Sequence, residues 1–213
     1  MGRTSCLLNC LPWSYSSWKD THFRNCDFEN CSFALSHFNR CEFRGNTFNS
    51  IGISGSKTDF ERVKPVFEAM GSTITYCGPV GHGQLTKLSN QILVSLTLLG
   101  VCEAVLFAEK NGLEPEVMIE AVRGGAAGSW QLSTLGPRIA RADYAPGFMV
   151  DLLQKDLGLV LEAGYQARVS LMGTSLVRQL MSAAQSMGDG REGTQVLARV
   201  LKTLAAPSAP NES

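Results

Sequence analysis

The longest hydrophobic pattern in the chain lies near its centre, between Gln84 and Lys110. Its apolar residues recur at helical spacing and would occupy nearly every face of a helix. They are Leu85, Leu88, Ile92, Leu93, Leu96, Leu98, Leu99, Val101, Val105 and Leu106. A surface helix has one apolar stripe, whereas a helix that is apolar on all sides is typically buried. The pattern therefore predicts one long central helix, which Gly112 ends.

Shorter periodic segments lie on both sides of this helix. Downstream, helices are predicted at Pro115–Arg123, Trp130–Ala140, Val150–Gln166, Gly173–Met187 and Gly193–Leu204. Upstream, strands are predicted at Ser50–Gly55 and Ile74–Cys77, with a helix over Lys57–Met70 between them. Thr58 or Asp59 is the expected cap of that helix, and Pro65 inside it is expected to cause a kink or an early break.

The first fifty residues have a different period. Aromatic residues recur every five positions, at Trp13, Trp18, Phe23, Phe28, Phe33, Phe38, Phe43 and Phe48. Neither a helix nor a strand has this period. The segment resembles the pentapeptide-repeat family, which implies a square β-helix with small residues such as Cys26, Cys31 and Cys41 stacked inside. The alternative is an irregular leader.

These patterns divide the chain into four parts. Residues 1–50 are the repeat-like or irregular segment, and residues 51–80 are a β-α-β unit. Residues 81–205 are all-helical, and residues 206–213 are expected to be a disordered tail because they contain no core-forming residues.

Composition excludes several classes of function. The chain of 213 residues has 19 basic and 19 acidic side chains, so its net charge is zero and a nucleic-acid partner is not expected. The seven cysteines form no C-x-x-C pair, which argues against a metal site and favours a reducing, cytoplasmic location. We expect neither a signal peptide nor a membrane span.

Candidate chemistry begins where the glycine-rich turn Gly78–Gly83 enters the central helix. Lys87 and either Asn90 or Gln91 would share a helix face, because residues three and four apart are neighbours. A lysine there can exchange a proton with a carbonyl oxygen, although a lysine in a first helical turn is more often simply solvated. The turn itself, GPVGHG, does not have the glycine order of a dinucleotide-binding turn.

Four blocks of sequence resemble the β-hydroxyacid dehydrogenase family, of the 3-hydroxyisobutyrate dehydrogenase and tartronate-semialdehyde reductase type. They are FERVKPVFEAMG, GPVGHGQLTKLSNQ, GGAAGSWQL and APGFMVDLLQKDL, and they follow the family's order and spacing. The resemblance implies a mainly α fold, namely the family's multi-helix C-terminal domain, which is similar to that of 6-phosphogluconate dehydrogenase. A remnant β-α-β unit would precede this domain.

The resemblance also implies roles for individual residues. Lys87 would be the general acid/base, and Asn90 or Gln91 would orient the substrate. Phe148, Lys155 and Asp156 would approach the nicotinamide end of NAD or NADP, and Trp130 would contact a small hydroxy acid or aldehyde. Without the resemblance, Lys155 is interpreted as an exposed lysine, Phe148 as a core residue, and Trp130 as a core or subunit-contact residue.

Two further expectations follow from the resemblance. The chain is expected to form a homodimer or oligomer through its helical domain. It is also expected to lack the family's Rossmann domain, with its G-x-G-x-x-G turn, and therefore to bind a dinucleotide weakly by itself. The alternative function is a non-catalytic dimerisation or assembly module.

Overall fold

The computed structural model describes residues 51–69 and 71–205, together with the backbone of seven short strands among residues 6–48. The chain forms two compact units, residues 1–89 and residues 90–213. Two predictions lie outside the described residues: the side-chain stacking of Cys26, Cys31 and Cys41, and the disordered tail at 206–213. The helix predicted at Lys57–Met70 ends earlier, at Glu68.

The strands among the first fifty residues pair in parallel with a constant offset. They are β1 (Cys6–Leu7), β2 (Ser17–Lys19), β3 (His22–Arg24), β4 (Cys26–Phe28), β5 (His37–Asn39), β6 (Glu42–Arg44) and β7 (Thr47–Phe48). The described pairs, such as Trp18 with Phe38 and Phe23 with Phe43, all join residues 20 positions apart. The described strands therefore share one regular spacing along the chain.

A β-α-β unit follows, made of β8 (Ile51–Ser54), α1 (Lys57–Glu68) and β9 (Ile74–Gly78). The two strands pair in parallel. Phe60 on α1 is buried and its ring lies 5.0 Å from that of Tyr76 on β9, centroid to centroid. Tyr76 also donates its hydroxyl hydrogen bond to the carbonyl of Gly55 at 2.9 Å. These contacts hold the helix against its two strands.

The cap predicted for α1 is wrong and the predicted early break at Pro65 does not occur, whereas the alternative of a kink stays a prediction. Its cap is Ser56, which directly precedes the first helical residue and whose hydroxyl accepts a hydrogen bond from the backbone N–H of Asp59 at 3.0 Å. Pro65 lies inside the helix without breaking it. Ion pairs one turn apart, Lys57 with Glu61 and Lys64 with Glu68, support the turns around Pro65.

The helical part begins with the long helix α2, His82–Lys110, and Gly112 follows it with a φ of 73°. The later elements are α3 (Pro115–Val122), α4 (Trp130–Thr134), α5 (Gly136–Ala140), α6 (Val150–Gln166), α7 (Met172–Ser186), a 3-10 turn (Thr194–Val196) and α8 (Leu197–Leu204). The single helix predicted at Trp130–Ala140 is in fact two, because Gly136 and Pro137 start a new helix. The last predicted helix begins as a 3-10 turn.

The core of residues 90–213 lies between α2, α6, α7 and α8. Side chains that are fully or almost fully buried there include Leu98, Val105, Leu153, Leu157, Val160, Val177, Met181 and Leu197. On α6 these residues recur at helical spacing, so one face of the helix enters the core and the others remain available for polar contacts. This packing confirms the mainly helical fold predicted from the sequence.

Helix α2 also meets the length and composition of a membrane-spanning helix. The mean hydropathy of its most apolar window is 2.0, and 44% of that window is buried inside the described structure. Central helices of soluble proteins pass the same test. The expectation that the chain spans no membrane therefore stays a prediction.

Candidate functional site

Four polar residues form a chain of hydrogen bonds between α2 and α6. Asn90 donates its side-chain N–H to the Gln91 Oε1 atom at 3.0 Å, and Gln91 donates its own to the Asp156 Oδ2 atom at 2.7 Å. The Lys155 Nζ atom lies 3.1 Å from the Asp156 Oδ1 atom. We call this set of four residues the amide–carboxylate chain. It brings together four of the seven residues that the sequence singled out.

Burial differs along the amide–carboxylate chain. Gln91 is 2% exposed, the side chain of Asp156 is 16% exposed and that of Lys155 is 46% exposed. The neighbours of Asp156 on α6, Leu153 and Leu157, are fully buried, which places the carboxylate at the edge of the core. The arrangement therefore runs from a buried amide to a cation that solvent or a ligand can reach.

Lys87 lies four residues before Gln91 along α2 and belongs to the first compact unit. It is half-buried. The turn that precedes it depends on Gly78 and Gly81, which have positive φ values of 108° and 92° and so favour glycine. The sequence therefore places Lys87 in the second turn of a helix whose start is fixed by glycine geometry.

Trp130 begins helix α4, and its exposed fraction is 61%. Ser129 caps this helix, with its hydroxyl accepting from the backbone N–H of Leu132 at 3.0 Å. The buried Gln131 donates to the backbone carbonyl of Val94 on α2 at 2.6 Å. The Ser129 cap and the hydrogen bond of Gln131 fix the backbone on either side of Trp130, and the indole is exposed to solvent. Within the described residues, Trp130 is therefore not a core residue.

Phe148 lies in the loop between α5 and α6 and is half-buried against the core. Its carbonyl accepts a hydrogen bond from the backbone N–H of Thr194 at 2.9 Å. Gln195, which is 1% exposed, donates to the carbonyls of Asp143 and Ala145 at 3.1 and 3.2 Å. The loop that carries Phe148 is therefore tied to the segment before α8.

An ion pair at the start of this loop was not predicted. Arg138 contacts both carboxylate oxygens of Asp143 and also donates to the carbonyl of Ala145 at 2.6 Å. The guanidinium, helped by the backbone N–H of Ala145, lowers the pKa of Asp143 from 3.8 to about 2. The same pairing raises the pKa of Arg138. The sequence signal was only a basic and an acidic residue five positions apart, which is not specific.

Cys102 lies in the middle of α2 and is fully buried. Burial raises the pKa of its thiol to about 12, so the reactive thiolate is not formed at neutral pH. Cys102 is therefore a core residue of the helical unit.

The sequence contains one G-x-G-x-x-G spacing that the sequence analysis missed, at Gly188–Gly193. This segment joins α7 to the 3-10 turn, and no strand precedes it. A Cβ atom at Gly190 would lie 2.6 Å from the Asp151 carboxylate, and one at Gly193 would collide with the Gln195 carboxamide. The space beside these glycines is filled by the chain's own side chains, so the segment does not fit a pyrophosphate.

Comparison with known proteins places this geometry in a family. The profile for the NAD-binding region of NADP-dependent 3-hydroxyisobutyrate dehydrogenase matches residues 81–201. An uncharacterised oxidoreductase of Bacillus subtilis is 41% identical over 146 residues, which are 68% of this chain and 51% of that protein. The 2-hydroxy-3-oxopropionate reductase of Escherichia coli is 37% identical over 156 residues, which are 73% of this chain and 53% of the enzyme.

The chain belongs to the β-hydroxyacid dehydrogenase family. A crystal structure of 3-hydroxyisobutyrate dehydrogenase from Salmonella typhimurium is similar, with 29% identity and a TM-score of 0.64 over 69% of this chain and 52% of that one. The corresponding enzyme of Mycobacterium tuberculosis has 26% identity and a TM-score of 0.63, over 74% of this chain and 55% of that one. The chain spans about half the length of the curated relatives it matches.

The cofactor of the β-hydroxyacid dehydrogenase family is NAD or NADP, as the resemblance implied. Side chains in the helical unit have chemistry that fits the nicotinamide end of such a cofactor. The Lys155 ammonium is 46% exposed and can donate to an amide oxygen or a phosphate, and the Phe148 ring offers an apolar surface to a flat ring. By contrast, Gly188–Gly193 does not form a binding site for the pyrophosphate, because the Asp151 and Gln195 side chains fill the space beside Gly190 and Gly193.

Proposed function

We propose that this chain supplies the helical half of an NAD- or NADP-dependent oxidoreductase that acts on a small hydroxy acid or aldehyde. The observation that carries the proposal is the amide–carboxylate chain, which holds an amide and an ammonium at the edge of the core. Two relatives support the substrate class by their names, 3-hydroxyisobutyrate dehydrogenase and 2-hydroxy-3-oxopropionate reductase.

Six of the seven predicted residues have a direct role in this proposal. A bound nicotinamide supplies or accepts the hydride. Lys87 gives a proton to the carbonyl oxygen during reduction and takes it from the hydroxyl during oxidation. Asn90 orients the substrate, and Trp130 contacts it. Phe148, Lys155 and Asp156 hold the nicotinamide end, where Asp156 acts by fixing the position of Lys155.

We further propose that residues 1–213 by themselves bind the whole dinucleotide weakly. Affinity for a dinucleotide depends mainly on a glycine-rich turn that places the pyrophosphate at a helix N-terminus. The only matching spacing in the sequence lies between helices and is packed against Asp151 and Gln195. Residues 51–78 contribute just two parallel strands and one helix.

An NMR titration of the isotope-labelled chain tests the proposed function. We expect nicotinamide mononucleotide at millimolar concentration to shift the signals of Phe148 and Lys155, whereas ADP-ribose, which lacks the nicotinamide, leaves them in place. Equal shifts with both compounds, or none with either, would contradict the proposed site. Micromolar affinity for NADH or NADPH would contradict the weak binding expected of this chain alone.

An assembly role is the second candidate function, and an exposed apolar stripe on α2 favours it. Leu93, Leu96 and Phe107 are 68%, 38% and 71% exposed, and together with the exposed Gly100 they recur at helical spacing. An apolar stripe of this kind marks an interaction surface more often than a solvated one. We propose that two copies of the chain associate through this stripe, with or without catalysis.

The first fifty residues support the same assembly role. Their strands pair at an offset of 20 residues, which is four times the five-residue period of the aromatic positions. We propose a pentapeptide-repeat β-helix, a surface of which would contact a partner. Removal of residues 1–50 should then abolish binding of that partner and leave the association through α2 unchanged, as measured by light scattering.

A further inference from the structure

Gln91 is the most constrained side chain in the amide–carboxylate chain. Gln91 is 2% exposed, and both ends of its carboxamide are bonded: Nε2 donates to Asp156 at 2.7 Å and Oε1 accepts from Asn90 at 3.0 Å. A buried carboxamide with both ends bonded can turn over only by losing both hydrogen bonds. Its orientation is therefore fixed.

The direction of these hydrogen bonds follows from the chemistry of the groups. The ionised carboxylate of Asp156 can only accept, and the Lys155 ammonium, which can only donate, occupies its other oxygen at 3.1 Å. Gln91 must therefore present its amino group to Asp156 and its oxygen to Asn90. Asn90 in turn must present its own amino group to Gln91.

The consequence falls on Asn90, the half-buried residue at the other end of the amide–carboxylate chain from Lys155. Because the Asn90 amino group faces Gln91, its carbonyl oxygen, Oδ1, is turned away from Gln91. A carboxamide in this orientation offers an acceptor to a ligand, so it favours a ligand hydroxyl, which donates.

We infer that Gln91 is a positioning residue that sets the orientation of the Asn90 carboxamide, so that Asn90 accepts a hydrogen bond from the hydroxyl of a small hydroxy acid. This inference rests on the proposed function. Gln91 itself touches no ligand, since its carboxamide is buried and used on both sides. The competing explanation is that Gln91 only links α2 to α6 mechanically.

Two variants separate these explanations, because they change the direction of the hydrogen bonds while keeping the size of the side chains. In Asp156→Asn, Lys155 still requires an acceptor, so the new carboxamide at position 156 turns its amino group to Gln91. The Gln91 carboxamide then turns over to present its oxygen to position 156, and the Asn90 carboxamide turns over to present its oxygen to Gln91. In the double variant Gln91→Glu with Asp156→Asn, the new carboxylate at position 91 accepts from both neighbours, and Asn90 recovers its original direction.

The first readout needs no ligand. The side-chain amide protons of Asn90 should exchange slowly in the unchanged chain, exchange faster in Asp156→Asn, and slow again in the double variant. Unchanged backbone signals of Leu98 and Leu157 would show that each variant is folded. If Asp156→Asn leaves the exchange of the Asn90 amide protons unaltered, the inference is wrong, whatever the chain binds.

The second readout compares 3-hydroxyisobutyrate with isobutyrate, which lacks the hydroxyl. The dissociation constant of isobutyrate divided by that of 3-hydroxyisobutyrate should fall by about two- to tenfold in Asp156→Asn and in Gln91→Met, the size of one hydrogen bond. It should recover in the double variant. A purely mechanical link predicts equal loss for both ligands, which would overturn the inference. If neither ligand binds the unchanged chain, the proposed function fails, and the proton-exchange result still decides the role of Gln91.

Discussion

The guanidinium of Arg138 contacts the carboxylate of Asp143 through two hydrogen bonds, Nε to Oδ2 at 2.8 Å and Nη2 to Oδ1 at 3.1 Å. Arg138 also reaches the carbonyl of Ala145, and the N–H of Ala145 donates to Asp143 at 3.1 Å. One ion pair therefore shapes the turn that leads to Phe148 and α6.

This ion pair makes stability depend on pH in a defined window. The pKa of Asp143 is lowered from 3.8 to about 2, so the folded state favours the charged carboxylate. Its stabilising contribution is complete above about pH 4 and is lost as the pH falls through about 2. The difference in urea midpoint between the unchanged chain and Asp143→Asn should therefore shrink from pH 5 to pH 2. In Arg138→Met the pKa of Asp143 is no longer lowered by the guanidinium, so the urea midpoint of this variant should also approach that of the unchanged chain from pH 5 to pH 2. If the difference in urea midpoint between the unchanged chain and either variant stays constant with pH, this account is wrong.

Gly128, two residues before Trp130, lies in close contact with the backbone of the preceding turn. A Cβ atom at Gly128 would collide with the carbonyl oxygen of Arg123 and lie 3.0 Å from that of Gly125. Backbone atoms cannot move aside cheaply, so Gly128→Ala should destabilise the chain by about 1–3 kcal/mol and change the fluorescence of Trp130. Gly124→Ala is the matched control, because nothing lies within 4 Å of its added carbon. Equal effects of the two variants would refute the contact.

Much of the helical unit could be predicted from sequence because its core follows helical spacing. Helix α6 was predicted with both ends correct, since Val150, Leu153, Leu157 and Val160 repeat on one face and all are buried. The break between α4 and α5 was missed because Leu132, Leu135 and Ile139 continue the apolar pattern across it. Hydrophobic spacing does not record a change of helix direction when both helices pack into one core.

The candidate site could be predicted only in part. Periodicity and resemblance indicated Asn90, Gln91 and the pair at Lys155 and Asp156, but they left the two amides as alternatives. The choice between them depends on hydrogen bonds between residues 65 positions apart, which no local pattern encodes. The same reason explains why the link from Gln195 to the loop before Phe148 was missed.

The proposed association through α2 predicts that a charge on its exposed stripe separates the copies. Leu93 is 68% exposed, so Leu93→Glu should leave the fold intact while placing a charge in the interface, where it would be desolvated. Sedimentation velocity should show a dimer for the unchanged chain and a monomer for this variant. Val66→Glu on α1, where the original side chain is 61% exposed, should remain dimeric. A dimer that survives Leu93→Glu would rule out this face.

The assignment of Lys87 as general acid/base predicts a loss of rate without a comparable loss of binding. Single-turnover reduction of 2-hydroxy-3-oxopropionate by the chain with saturating NADPH should slow by about 10²- to 10⁴-fold in Lys87→Met, because the variant cannot give a proton to the developing alkoxide. The dissociation constant of the substrate should change by less than about threefold, since a proton transfer is felt mainly in the transition state. Lys64→Met, a lysine of α1 whose side chain is 39% exposed, should leave the rate unchanged. A rate that is equal in Lys87→Met and Lys64→Met would remove Lys87 from the reaction and leave the assembly role as the better explanation of the chain.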